Sequence, residues 1–132
     1  MFRTTCLMMG LIFILQSPVV TLCFADDSGT IVGTYECLGK NSDGSNYRGT
    51  VTIKATEGSK ESFILKWNVG GSEYIGIGLL DGQKLSSSWA ISTTQGVAVG
   101  IIVYDVDGNT LKGRWTSYPG KGGVLTETLT RR

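Results

Sequence analysis

One carboxylate and five large aromatic side chains carry the chemistry this sequence offers. Counting alternate residues along the apolar runs puts Glu127 on the same face as Tyr47, Trp67, Tyr74, Trp89 and Trp115. A carboxylate among rings is costly unless it is paired. Glu127 is therefore expected either to accept a hydrogen bond from a tyrosine, a tryptophan N–H or a ligand, or to stand in water at a rim. It does not suffice for hydrolysis, which generally uses two carboxylates. The chain has no histidine, so it lacks the commonest general base and the commonest zinc ligand. Ser86-Ser87-Ser88 has no base to activate it and lies within an alternating run. No catalytic constellation emerges, and a non-enzymatic protein is expected.

Neither metals nor nucleotides find a site. Asn41, Asp43 and Asn46, like Asp105, Asp107 and Asn109, lack the spacing and terminal glutamate of an EF-hand and fit ordinary turn chemistry. Gly120-Lys121-Gly122-Gly123 precedes no helix whose amides would cradle a phosphate. No cofactor is expected. Arg3 removed, the 12 basic residues fall to 11 against 11 acidic ones, with no basic block, which disfavours nucleic acid.

Arg3 is set aside because residues 1–25 read as a cleavable signal peptide. A short basic start precedes an apolar run from Cys6 to Leu15. Small residues Cys23 and Ala25 stand at −3 and −1 before Asp26. Gln16, Ser17 and Pro18 interrupt the span a membrane anchor would need, and bulky Leu22 disfavours a lipid anchor at Cys23. The remainder, 26–132, forms a single domain, exported to the periplasm or the medium. Cys37 is left without a cysteine partner and reads as a small buried apolar residue.

What must position the aromatics is a sheet. Runs of period two, separated by turn residues, predict strands at 31–38, 46–55, 62–69, 72–80, 84–91, 97–105, 110–116 and 124–130. Pro18 and Pro119 fall outside them. Gly70-Gly71, Asp81-Gly82 and Asp107-Gly108 suit two-residue hairpin turns. Taken as the central residues, they pair Trp67 with Tyr74, Gly78 with Leu85, Tyr74 with Trp89, Tyr104 with Leu111 and Gly100 with Trp115. The shared face is aromatic-plus-small and also takes Tyr35, Cys37, Val51, Ile53, Phe63, Leu65, Leu125 and Leu129. Hairpins without a long crossover predict an all-β, antiparallel up-and-down meander of about eight strands, closed into a barrel, with a flattened sandwich as the alternative.

Two resemblances follow. Gly33-Thr34-Tyr35 opening the first strand, with Arg131-Arg132 closing the last, resembles the calycin pattern of lipocalins and avidins. There, Gly-x-Trp opens strand one and, in lipocalins, a basic residue of the last strand packs on the aromatic ring. Tyr35 replaces the usual Trp. The chain also resembles short secreted bacterial proteins labelled fibronectin-binding. The matching segments are Tyr47-Arg48-Gly49-Thr50-Val51, Gly76-Ile77-Gly78-Leu79-Leu80, Gly113-Arg114-Trp115 and Thr126-Glu127-Thr128-Leu129.

Two functions are consistent with these features. One is a binder of a small apolar or aromatic ligand at the barrel mouth, using Tyr47, Trp67, Tyr74, Trp89, Trp115 and Glu127. The other is a structural or adhesive module that meets a host or envelope protein through its outer face or loops. The same registers turn Ile75, Ile77, Leu79, Val99, Ile101 and Val103 outward on either side of Ser86, Ser88 and Ala90, a face expected to support a homodimer.

Overall fold

The computed structural model describes residues 30–132. The segment read as a signal peptide, 1–25, lies outside them. Eight strands follow one another: β1 (Gly33–Lys40), β2 (Asn46–Ala55), β3 (Ser62–Val69), β4 (Ser72–Asp81), β5 (Lys84–Thr93), β6 (Gly96–Asp107), β7 (Thr110–Tyr118) and β8 (Leu125–Arg131). Each pairs antiparallel with its neighbours in the chain, and β8 closes on β1, giving a barrel without a free edge. This is the meander expected from the hairpin spacing; the sandwich alternative is excluded.

Every strand keeps its expected face. Tyr35, Cys37, Val51, Ile53, Phe63, Leu65, Trp67, Leu85, Ile102, Tyr104, Leu111 and Leu129 are buried inside the barrel together with Ser87 and Glu127. Removing each large apolar side chain from water contributes about 1.5–3 kcal/mol. This core takes the place of a disulfide, since Cys37 is buried and unbridged.

Two registers differ from expectation by two residues. At β4–β5 the facing pairs are Leu80 with Leu85 and Gly78 with Ser87, not Gly78 with Leu85. At β6–β7 they are Val106 with Leu111, Tyr104 with Gly113 and Ile102 with Trp115. The turns are centred on Gly82-Gln83 and Gly108-Asn109, one residue later than Asp81-Gly82 and Asp107-Gly108. Gly82 (φ 59°) and Gly108 (φ 56°) take the left-handed position, and among the described residues no non-glycine has positive φ. A positive φ at the first central residue alone is the type II′ signature, which spares an aspartate from that conformation. Gly70-Gly71 sits where expected, and Trp67 faces Tyr74. A shift of two preserves the faces, so the inward set survives the correction.

The strand pairing explains the interior glycines. Gly39 faces Tyr47, Gly100 faces Trp89 and Gly113 faces Tyr104. A Cβ at Gly39 would lie 2.0 Å from Cζ of Tyr47, and one at Gly100 would lie 2.3 Å from Cε2 of Trp89. Each ring lies over the bare backbone of its partner strand, so a narrow barrel can hold large aromatics.

The end that carries the β2–β3, β4–β5 and β6–β7 turns is shut. Ile31, expected within the first strand, lies before it and is buried at this end, where its carbonyl accepts from the Tyr35 hydroxyl at 2.8 Å. Arg131 lies over the Tyr35 ring, Cζ 5.1 Å from the centroid, and donates to the carbonyls of Val32 (2.8 Å) and Thr30 (2.7 Å). A Cβ at Gly33 would come within 2.9 Å of Arg131 Nη1, so the glycine makes room for this latch.

Candidate functional site

The opposite end is open. Its rim carries the β1–β2, β3–β4, β5–β6 and β7–β8 connections, and it surrounds a cavity of about 310 Å³. Tyr47, Trp67, Tyr74, Trp89, Trp115 and Glu127 all line it, so the structure brings together all six residues singled out from the sequence. Four lining residues were not singled out: Asn41, Val69, Gly70 and Ile102. Ile102 is the informative one. The register expected from Asp107-Gly108 set it opposite Gly113, below the mouth, whereas the type II′ turn sets it opposite Trp115.

Four rings form a continuous edge-to-face chain. Tyr74 and Trp89 have centroids 5.5 Å apart at 87°, Trp89 and Trp115 6.1 Å at 73°, and Tyr47 and Trp115 6.3 Å at 63°. Such packing is favoured by the ring quadrupoles and fixes the lining without filling the space. These four are half-buried, while Trp67 is buried beneath them. The Trp115 indole N–H is buried and has no hydrogen-bond partner in the protein.

Glu127 does not stand in water: it is 4 % exposed. One carboxylate oxygen, Oε2, accepts from the Tyr47 hydroxyl at 2.7 Å. The other, Oε1, accepts from Trp67 Nε1 at 3.1 Å and from the Tyr104 hydroxyl. All three partners are donors, which suits an acceptor-only carboxylate. Burial, and secondarily the Glu127 charge, push the Tyr47 and Tyr104 phenols and the Cys37 thiol well above their ordinary pKa values. A thiol so displaced stays protonated and is a poor nucleophile.

The rim is organised by turn chemistry. Asp43 accepts from the backbone N–H (2.9 Å) and the hydroxyl (2.6 Å) of Ser45, bonds that lower its pKa, and Asn41 Nδ2 donates to Ser45 Oγ at 3.0 Å. At the other acidic cluster, Asp105 pairs with Lys84. Ser87 is bonded to the backbone of its own sheet, to Ile77 O at 3.0 Å and Ser88 O at 2.8 Å.

No family model and no curated protein matches this sequence. Solved structures do share its fold. A de novo designed fluorescence-activating β-barrel superposes with a TM-score of 0.55 at 20 % identity, covering 81 % of this chain and 98 % of its own. A redesigned β-barrel, mFAP1, bound to DFHBI gives 0.59 at 20 %, covering 77 % and 95 %. A further redesigned β-barrel gives 0.64 at 16 %, covering 83 % and 97 %. At these identities the likeness is one of fold: a small, closed, antiparallel eight-stranded barrel.

Proposed function

We propose that the protein is an exported, non-enzymatic, calycin-like binding protein that takes a small apolar or aromatic ligand into its mouth. The observation that carries the reading is the cavity of about 310 Å³ walled by five aromatic rings, with a hydrogen-bonded carboxylate at its base. Apolar walls with a few fixed polar groups are the usual make-up of a small-molecule site, and this volume falls at the lower end of the range. Below Glu127 the interior is filled by side chains, so the mouth is where a ligand fits. Support by analogy comes from the redesigned barrel bound to DFHBI, which shares the fold. Export rests on the signal-like residues 1–25. Fluorescence titration of the purified protein with a panel of small aromatic and heterocyclic compounds, DFHBI included, tests the reading. Trp89→Ala and Trp115→Ala are each expected to abolish uptake, and absence of binding across the panel would count against it.

A second reading is favoured by the outer face of β4–β6. Ile75, Ile77, Leu79, Val97, Val99, Ile101 and Val103 are all exposed there, in two ridges either side of small Ser86, Ser88 and Ala90. Together they present a contiguous exposed apolar face, the kind of surface that marks an interaction site. Ridge, trough and ridge on a curved sheet suit self-pairing, the ridge of one copy entering the trough of the other. On this reading the barrel is a structural or adhesive module that forms a homodimer or engages a host extracellular protein.

A further inference from the structure

Glu127 is a buried carboxylate with no cationic partner among the described residues. Its partners Tyr47, Trp67 and Tyr104 are neutral donors. Among the described residues the ion pairs lie elsewhere: Lys66 with Glu73, Lys84 with Asp105 and Arg132 with Glu36, all on the surface. Arg131 is committed to Tyr35 and two carbonyls at the shut end. No lysine or arginine lines the cavity, and Glu127 is its one charged lining residue. Its field reaches its neighbours, contributing to the upward shift of Tyr47, Tyr104 and Cys37.

The walls are compatible with the same sign of charge. Tyr47, Trp67, Tyr74, Trp89 and Trp115 line the cavity, and an aromatic ring attracts a cation placed over its face, more strongly once water is excluded. A neutral apolar ligand would exploit the rings and gain nothing from the carboxylate. A carboxylate or phosphate would be repelled by both. Oε1 already accepts from two side chains, while Oε2 accepts from Tyr47 alone, so Oε2 has the remaining acceptor capacity.

Resting on the reading of the mouth as a ligand site, we propose that the ligand is a compact organic cation, an ammonium or a cationic heteroaromatic amine. Its charge lies against Glu127 Oε2, and its apolar body against the cavity-lining rings of Trp89 and Trp115.

A charged and a neutral probe of one shape test this: phenyltrimethylammonium and tert-butylbenzene, titrated calorimetrically and by tryptophan fluorescence against the purified protein. The cation is expected to bind at least about tenfold tighter than its neutral isostere. In Glu127→Gln that ratio is expected to fall toward unity, whereas Trp89→Ala weakens both probes. Equal binding of the two probes overturns the cation proposal and leaves the ligand-site reading standing. Binding of neither, with native circular dichroism, overturns both. Should Glu127→Gln fail to fold, the wild-type ratio decides: a cation preference below about threefold overturns the proposal, and one above about tenfold that shrinks as salt rises supports it.

Discussion

The two ends of the barrel solve opposite problems with similar residues. At the shut end, one tyrosine is used completely: the Tyr35 ring is buried under the Arg131 guanidinium, and its hydroxyl is bound to Ile31 O. At the mouth, four rings stand half-buried, held by edge-to-face contacts with each other around a space they do not fill. Closure against the chain's own segment serves stability, and the unfilled ring of aromatics serves recognition. An aromatic residue thus contributes to one or the other according to what lies on its far side.

The sharpest break of that comparison is a matched pair of truncations. Tyr35→Ala removes a fully buried ring, orphans the Ile31 carbonyl and strips Arg131 of its platform; a loss of about 3–5 kcal/mol is expected from urea unfolding. Trp89→Ala removes a larger side chain at the mouth, yet should cost only about 1–2 kcal/mol, because its far side faces the cavity. Its effect falls on ligand uptake instead. Equal destabilisation by the two would mean that the mouth is core.

Between the ends lies Glu127, and its neighbours give a pH signature. Burial raises the Tyr104 phenol well above the ordinary tyrosine value, with the Glu127 charge adding to it. The folded state therefore favours the protonated phenol. The stability this confers is fully present below the unfolded-state pKa of about 10 and is lost as pH rises above it. Unfolding free energy should decline steeply on the alkaline side, by about 1.4 kcal/mol per pH unit for each such tyrosine. In Tyr104→Phe the slope should lessen by about one proton, on top of a pH-independent loss of about 1–3 kcal/mol for the missing donor to Glu127. Equilibrium unfolding from pH 8 to 11 measures both, and an unchanged slope would refute the assignment.

Which of these features the sequence disclosed follows from what it encodes locally. Alternation is written residue by residue, so the faces of all eight strands, the closed meander and the six aromatic and acidic residues of the mouth were legible. Turn centring is decided by backbone strain at one position. Asp81-Gly82 and Asp107-Gly108 resemble turn centres, but placing Asp at positive φ is less favourable than moving the turn one residue on to Gly82 and Gly108. That choice moved Ile102 to the mouth and set Gly113 opposite Tyr104, neither of which the local pattern specified. The bonds of Tyr47, Trp67 and Tyr104 to Glu127 span 80, 60 and 23 residues and arise only once the barrel closes.

The smallest effect on stability, and the most telling for the outer face, is expected from Ile77→Lys with Ile101→Lys. Ile77 is 69 % exposed and Ile101 59 %, so neither supports the core, and each change should cost no more than about 0.5 kcal/mol. The outward direction of this β6 face is fixed, since Ile102 and Tyr104 are buried where Ile101 and Val103 are not. The two side chains lie on the ridges flanking Ser88, which faces Ile101 across β5–β6. If the face pairs with a twin copy, two lysines there put four positive charges against an apolar partner. Sedimentation at micromolar concentration should then give a dimer for the wild type and a folded monomer for the double variant. A monomeric wild type would remove self-association, leaving the mouth as the candidate site and the outer face as solvent-exposed sheet.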